Sequence, residues 1–437
     1  MQLYFRLMRI FIFLLVQFSA FGQTFSQFKT DSLLVTIFRN DTSSALQKII
    51  QHPEIYRVQL IYTQIDRDVN NQPRFKNYYF HVNRDFYFYP ASTVKLPLSL
   101  LSLEKLHRIQ QHGINKFTRI QYDSSYSGQQ PLYRDSTSET GYPSIAQFIR
   151  KAFLISDNDA YNRMYEFVGQ QEINRRLFEM GYTDMRIVRQ FMPLTEEGNR
   201  HTNQVRFLDS SGKMIWLQPA AFNPDSFRFP VSARIGKAWL DSRDSLINEA
   251  KDFTRHNRIP LEDLQQILQS ALFPNSMPSQ KRFNLDTGDY SFVKKFLSQY
   301  PSETPYPKYD TSVFYDSYVK YYFQKGARNI PGYIRVFNKV GWAYGFLTDV
   351  SYIADFKNQA EFMLTATVYA NEDGVLNDNI YEYETVALPF LYRAGQDIYQ
   401  YDLHRNREFK PDLKSFIIPY ERRDPADKRP SVKDVDN

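Results

Sequence analysis

The chain contains no cysteine and only seven histidines among its 437 residues. The absence of cysteine excludes disulfide bonds, lipid attachment at a cysteine, thiol nucleophiles and thiolate metal ligands. The histidines form no pair at a spacing typical of metal binding, and the carboxylates are scattered along the sequence. We therefore predict no metal site and no cofactor, so that any catalysis uses oxygen and nitrogen side chains.

The sequence also lacks a glycine-rich phosphate loop and a continuous stripe of basic residues. Its formal charge is +6, but Lys and Arg alternate with Asp and Glu along most of the chain. A dedicated nucleic-acid surface needs clustered positive charge, so we expect no nucleic-acid partner.

Long hydrophobic runs are absent as well. The apolar run Ile10–Val16 follows Arg6 and Arg9 and precedes small residues, and it falls short of the roughly 20 residues that a membrane-spanning helix needs. This pattern predicts a cleaved signal peptide over residues 1–22 and export, for example to the periplasm, with no stable membrane insertion after cleavage. An uncleaved membrane anchor is the alternative.

What the chain does contain is β-rich sequence near both ends and helical sequence between them. Apolar and aromatic runs predict an early hairpin and three later strands: Arg57–Ile65, Phe75–Val82, Tyr333–Gly341, Phe346–Phe356 and Glu361–Tyr369. Strands, then helices, then strands indicate one sheet whose halves are separated in sequence. The predicted fold class is α/β (α+β): an antiparallel sheet flanked by helices, with an inserted all-helical lobe.

Helical periodicity and break residues set the predicted elements of the lobe. The predicted helices of the lobe are Ser92–Gln111, Ser144–Leu154, Asp159–Val168, Gln170–Met180, Ala233–Ala250 and Leu261–Leu272, and a second hairpin is predicted over Val205–Leu217. A further helix, Tyr383–Tyr392, is predicted to close the fold after the last strand. One domain is expected over 23–421, with sheet halves at about 50–88 and 330–400, the lobe at about 89–329, and a disordered charged tail at 422–437.

Ser92 and Lys95 open a strongly apolar predicted helix. Residues three apart share one helix face, so the Ser92 hydroxyl and the Lys95 amine can approach hydrogen-bond distance. A buried lysine loses its proton more easily and can then act as a base toward a serine. The spacing alone is weak, because other serines are followed by a lysine in the same way, among them Ser26, Ser291 and Ser317.

Two further motifs follow. Ser156, Asp157 and Asn158 lie between two predicted helices, where a serine hydroxyl can relay a proton and an amide can contact a substrate amide. Lys339, Val340 and Gly341 end a predicted strand, where a cation can hold a carboxylate and a glycine permits close approach. Each alone is compatible with an ordinary turn or strand.

In this order, the three motifs resemble the serine-and-lysine, serine-aspartate-asparagine and lysine-threonine-glycine signature of class A β-lactamases and penicillin-binding proteins. The resemblance covers about 56–392. It implies that Ser92 is the acylated nucleophile, Lys95 its base, and Ser156 the proton relay to the leaving group. It further implies that Asn158 contacts the substrate and that Lys339 anchors its carboxylate, beside Gly341. The backbone amides of Ser92 and Trp342 would form the oxyanion hole.

Two departures from the family pattern stand out. Val340 replaces a hydroxyl residue, so one hydrogen bond to a substrate carboxylate is missing. The family's deacylating glutamate should follow the second motif, and the candidates are Glu196 and Glu197, near Asn199. Their surroundings do not match that loop closely, and a solvated pair of loop acids is the alternative interpretation.

The leading hypothesis is a monomeric serine β-lactamase, which opens the β-lactam ring through a Ser92 acyl-enzyme and would confer antibiotic resistance. The first alternative is a peptidoglycan D-Ala-D-Ala carboxypeptidase, transpeptidase or esterase that uses the same acylation residues. The second is a non-catalytic cell-envelope binding protein of the same fold. Reaction with penicillin would discriminate among them. Rapid turnover would favour the lactamase, a lasting adduct the first alternative, and no adduct the binding protein.

Overall fold

The computed structural model describes residues 27–434. The predicted signal peptide therefore lies outside the described residues. In the described part of the chain the strands are β1 (Gln59–Arg67), β2 (Pro73–Phe80), β3 (Arg119–Tyr122), β4 (His201–Thr202), β5 (Val205–Leu208), β6 (Met214–Gln218), β7 (Ala221–Phe222), β8 (Arg234–Ile235), β9 (Ala238–Leu240), β10 (Leu246–Ile247), β11 (Lys251–Asp252), β12 (Ile334–Ala343), β13 (Phe346–Asp355), β14 (Ala360–Tyr369) and β15 (Val375–Leu376).

The helices of the same region alternate with these strands. They are α1 (Ser32–Arg39), α2 (Ser44–Gln51), α3 (Lys95–Ile109), α4 (Ile145–Leu154), α5 (Asn158–Val168), α6 (Gln170–Glu179), α7 (Leu261–Leu272), α8 (Thr287–Ser298), α9 (Tyr321–Gln324) and α10 (Leu388–His404).

The central sheet has five strands in the order β12-β13-β14-β1-β2. All neighbouring strands run antiparallel, and β1 from the first half pairs with β14 from the second, for example Ile61 with Thr365. The predicted sheet, with its halves separated in sequence, is thus confirmed. The predicted fold class is confirmed as well.

Helices cover both faces of the sheet, which explains why every residue of β13 and β14 is buried. Phe362 and Leu364 of β14 pack into the core formed with α1, α2 and α10. Met363, between them in sequence, packs into the opposite core with α3, α5 and α7. Successive side chains of a strand point to opposite faces, so one strand serves both cores.

Most predicted elements are confirmed. The helix predicted over Leu261–Leu272 is α7, and the second hairpin is β5 and β6. The lobe is not purely helical, however, because β3, β5 and β6 form a small sheet within it.

The predicted helix Ala233–Ala250 is wrong: this segment forms β8, β9 and β10. Gly236 and Asp244 adopt left-handed backbone angles, with φ of 77° and 58°, which a helix cannot accommodate. At Gly236 an added Cβ would lie 2.6 Å from the carbonyl oxygen of Gly374. Turn residues and a long-range contact therefore override the local helical pattern.

The C-terminal elements also differ from the prediction. Helix α10 extends to His404, and Pro389 lies near its start, directly after a π-helical turn, Tyr383–Ala387. The tail predicted to be disordered contacts the protein as far as it is described. Arg423 donates to the carbonyl oxygens of Thr304 and Tyr309, and Val432 N–H donates to Lys308. Hydrogen bonds to the backbone carbonyl oxygens of Thr304, Lys308 and Tyr309 thus fix the tail on the protein, although its low hydropathy predicted disorder.

Among the described helices, none has the length and apolar character needed to cross a membrane.

Candidate active site

Ser92 lies in a one-turn 3₁₀ segment, Ala91–Val94, that continues into α3. The N–H and the hydroxyl of Thr93 both donate to the carbonyl oxygen of Pro90, at 3.0 and 2.7 Å. These bonds fix the start of the helix, whose next residues are almost all buried. Ser92 remains half-buried, so its hydroxyl is presented from a rigid support.

Strand β12 packs directly against this turn at Gly341. An added Cβ at Gly341 would lie 2.6 Å from the Pro90 carbonyl oxygen and 2.9 Å from the Ser92 backbone nitrogen. No side chain fits in that space without a backbone shift. Glycine is thus required here for close approach, and it brings the backbone of Trp342 next to the turn that holds Ser92.

The second motif lies between α4 and α5. Ser156 has a left-handed φ of 67°, an uncommon angle for a residue other than glycine. Asp157 caps α5, since its carboxylate accepts from the Ala160 N–H at 2.7 Å, and it pairs with Lys151 at 3.3 Å. The aspartate therefore has a structural role, and it orients Ser156 and Asn158 on either side of it.

Lys95 is fully buried and connects the first two motifs. Its Nζ donates to the Ser156 carbonyl oxygen and to Asn158 Oδ1 at 2.7 Å, and it lies 2.8 Å from Ser92 Oγ. Both oxygens can only accept, so they engage the two hydrogens of a neutral amine. The lone pair of that amine is then left for the Ser92 hydroxyl.

Burial lowers the pKa of Lys95 to about 7, and the negative charge of Asp157 partly opposes this shift. The ring of Phe191 contributes to the apolar surroundings, with its centroid 5.1 Å from Lys95 Nζ. A substantial neutral fraction of Lys95 is thus present near pH 7, as a base toward serine requires.

Lys339 lies behind Ser156. Its Nζ donates to Ser156 Oγ at 2.9 Å and to the Val340 carbonyl oxygen at 2.8 Å. Burial, reinforced by the nearby Lys95, holds the pKa of Lys339 well below its usual value. Ser156 Oγ is therefore placed between two amines, since it also lies 3.3 Å from Lys95 Nζ.

A cavity of about 580 Å³ opens in front of these groups. Of the predicted site residues, Ser92, Ser156, Asn158 and Trp342 line it. Lys95 and Lys339 contact Ser156 from the buried side, and Gly341 supports the wall by its contact with the nucleophile turn. The structure thus brings together seven of the nine predicted residues.

Glu196 and Glu197 do not line this cavity. Glu196, with a side chain 47% exposed, pairs with Arg255 at 2.8 Å and faces a separate small cavity. Glu197, 58% exposed, pairs with His201 at 3.5 Å. Their positions fit the alternative of solvated loop acids, and Phe191 is the residue of this loop that lines the Ser92 cavity.

Other serine-lysine pairs are placed elsewhere. Ser291 donates to a carbonyl oxygen within α8, and the buried Ser317 donates to the Ala327 carbonyl oxygen. Ser26 lies outside the described residues. Spacing alone could not separate these serines from Ser92. Burial does not separate them either, because Lys320 is as buried as Lys95. The contacts of Lys95 with Ser92 and with the second motif do separate them.

Several cavity residues were missed by the sequence analysis. Tyr344, Asn377, Asn379, Tyr381 and Tyr383 line the side opposite α5. They come from the β12–β13 turn and from the segment after β14. That segment has no recognisable motif, so only its place in the fold reveals the contact.

A search of solved structures found β-lactamases of low sequence identity. A β-lactamase from Xanthomonas campestris pv. campestris is 13% identical, covering 85% of this chain and 100% of that one, with a TM-score of 0.45. The β-lactamase from Streptomyces albus G is also 13% identical, covering 82% and 98%, with a TM-score of 0.43. Among curated proteins, none matches the chain.

The sequence model of the β-lactamase enzyme family matches residues 42–217. This range holds Ser92, Lys95, Ser156 and Asn158, which belong to the first two of the three motifs, whereas the third motif, at Lys339, lies outside it. The resemblance is thereby confirmed: residues 42–217 are similar to the β-lactamase enzyme family.

Proposed function

We propose that this protein is an exported serine hydrolase that opens β-lactam rings through an acyl-enzyme on Ser92. The observation that carries the proposal is the position of the buried Lys95. Its Nζ lies 2.8 Å from Ser92 Oγ while two carbonyl oxygens engage its other sides. Such an amine is a base aimed at one hydroxyl.

In the acylation step, Ser92 Oγ forms a bond to the lactam carbonyl carbon and its proton passes to Lys95 Nζ. The negative charge that develops on the carbonyl oxygen is stabilised by the backbone amides of Ser92 and Trp342. When the C–N bond of the ring breaks, Lys95 returns a proton through Ser156 Oγ to the leaving nitrogen. The distances from Ser156 Oγ to Lys95 and Lys339, 3.3 and 2.9 Å, support this relay.

Release requires a water molecule to attack the ester carbonyl, whereupon the Ser92 Oγ–carbon bond breaks and Ser92 regains a proton. Within residues 27–434 no carboxylate lines the cavity. We therefore assign activation of this water to Lys95, which is neutral again after acylation.

The absence of a carboxylate from the cavity lining, within residues 27–434, also favours a second candidate. A peptidoglycan D-Ala-D-Ala carboxypeptidase, transpeptidase or esterase needs the acylation residues and no glutamate beside Ser92. In that case the substrate is a peptidoglycan peptide, and a β-lactam would acylate Ser92 without rapid release.

Covalent labelling by a fluorescent penicillin tests the proposal. We expect a label on the wild-type protein and none on Ser92→Ala, with Ser291→Ala as the matched control that keeps the label. Rapid loss of the label with release of opened penicillin supports the lactamase, and a persistent label supports the second candidate. Absence of any label on the wild type would refute both and favour a non-catalytic binding protein.

A further inference from the structure

The ring of Phe191 lies against the base of the proposed reaction. Its centroid is 5.1 Å from Lys95 Nζ, and the ring lines the Ser92 cavity. Oxygens lie on other sides of this amine: the Ser156 carbonyl oxygen, Asn158 Oδ1 at 2.7 Å and Ser92 Oγ at 2.8 Å. One side of Lys95 thus faces an aromatic ring, which offers water no more than a weak hydrogen-bonding partner.

The space between the amine and the ring is too narrow for a water molecule. A water that is hydrogen-bonded to an amine lies about 2.9 Å from the nitrogen, and its contact with ring carbons requires about 3.5 Å more. Together these distances, about 6.4 Å, exceed the 5.1 Å between Lys95 Nζ and the ring centroid of Phe191. Water is therefore excluded from this side of Lys95, and it must approach the amine past the ester on Ser92.

Two neighbouring residues of α5 hold Phe191 in this position. The buried Asn162 accepts the Phe191 N–H at its Oδ1, at 2.8 Å. The Tyr161 ring packs on the Phe191 ring with 4.5 Å between centroids, and the Tyr161 hydroxyl donates to the Arg189 carbonyl oxygen at 2.8 Å. The loop of Phe191 is thus tied to the same helix that begins with Asn158, so the ring keeps its place beside the base.

From this geometry we infer that Phe191 sets the lifetime of the acyl-enzyme on Ser92 by restricting the water that releases the acyl group. The inference rests on the proposed function, because it concerns the second step at the same serine. In that step the water oxygen forms a bond to the ester carbonyl carbon and a water proton passes to Lys95 Nζ. The Ser92 Oγ–carbon bond then breaks, and Ser92 Oγ takes a proton back. Acylation consumes no water, so the ring restricts release without restricting acylation.

A series of apolar side chains of decreasing size tests the inference: Phe191→Leu, Phe191→Val and Phe191→Ala. In single-turnover experiments with benzylpenicillin, the intact-protein mass gives the rate constant of acylation and that of release for each full-length variant. Both steps need the neutral amine of Lys95. The ratio of release to acylation is therefore independent of the neutral fraction, and any change in the pKa of Lys95 caused by a smaller side chain cancels.

We expect the ratio to rise as the side chain shrinks. A water molecule occupies roughly 30 Å³, and the space opened in Phe191→Ala borders polar atoms of Lys95 and Asn158 that can hold it. Because a positioned base contributes about 100-fold or more, partial access of water to Lys95 should raise the ratio at least about tenfold in Phe191→Ala and less than about threefold in Phe191→Leu. Phe191→Val should lie between them, and it decides the test if the alanine variant does not fold.

Tyr161→Phe is the matched control for a loosened loop. It removes the hydroxyl that donates to the Arg189 carbonyl oxygen and keeps the ring that packs on Phe191. We expect this variant to keep the wild-type ratio. A rise in Tyr161→Phe as large as that in Phe191→Val would overturn the inference, because mobility of the loop would then be the cause.

The outcomes separate the two proposals. If benzylpenicillin labels Ser92 and the ratio in Phe191→Val and Phe191→Ala equals that of the wild type, the inference is overturned while the proposed function stands. Loss of acylation in both of these folded variants also overturns it, because the ring would then be needed for acylation itself. If the wild-type protein is not labelled at all, the proposed function fails and the inference falls with it.

Discussion

The titration of Lys95 determines how acylation of Ser92 should depend on pH. Burial lowers the pKa of this amine to about 7, and only the neutral amine accepts the serine proton. Acylation should therefore accelerate as the pH rises and level off above the pKa. A solvent-exposed lysine would leave the rate rising up to about pH 10.

The size of the effect follows from the neutral fraction. With a pKa of about 7, about one tenth of Lys95 is neutral at pH 6 and about half at pH 7. Acylation by a β-lactam should thus fall about fivefold between pH 7 and pH 6, as measured by stopped-flow or quenched mass analysis. Lys95→Ala should slow acylation by a factor on the order of 100 or more, the usual scale for a positioned base.

Asp157→Asn gives a control with a predicted direction. Asparagine caps helices as well as aspartate does, so the cap of α5 is retained, although the ion pair with Lys151 is lost. The charge of Asp157 raises the pKa of Lys95, and its removal should shift the profile to lower pH and speed acylation at pH 6. A rate independent of pH between 5 and 9, or an unchanged rate in Lys95→Ala, would refute the assignment of Lys95 as the base.

Two further predictions concern the loop acids and the glycine beside Ser92. We expect the Glu196→Gln and Glu197→Gln variants to hydrolyse a β-lactam within about twofold of the parent rate, because exposed charges contribute little to a reaction at a distance. Accumulation of a stable acyl-enzyme in either variant would contradict this expectation. Gly341→Ala should lower the melting temperature and suppress labelling of Ser92, since its Cβ would lie 2.6 Å from the Pro90 carbonyl oxygen. Gly332→Ala, which meets no atom within 4 Å, is the matched control, and equal melting temperatures for the two variants would disprove the close approach.

Local patterns in the sequence were sufficient for much of the fold. Apolar and aromatic runs predicted the hairpin of β1 and β2 and the strands β12 to β14, and the periodicity of Leu261–Leu272 predicted α7. These elements form because their own residues bury one or two faces. The segment 233–250 failed because its turns and its contact with Gly374 override its local helical pattern.

Part of the candidate site could also be read from short motifs. Ser92 and Lys95 share one helix face by spacing alone, and Ser156 and Asn158 bracket a helix cap. These relations lie within a few residues of each other, so sequence reasoning captures them. Spacing could not rank Ser92 above the other serines, however, because Ser291 and Ser317 are followed by a lysine in the same way.

Tertiary structure alone decided the rest. The burial that lowers the pKa of Lys95, the contact of Lys339 with Ser156, and the outward position of Glu196 all depend on segments far apart in the chain. The tyrosines that line the cavity come from a turn and a loop without a motif. Sequence thus determined which groups are available for chemistry, whereas long-range packing determined which of them share a desolvated cavity, because desolvation depends on all neighbours in space.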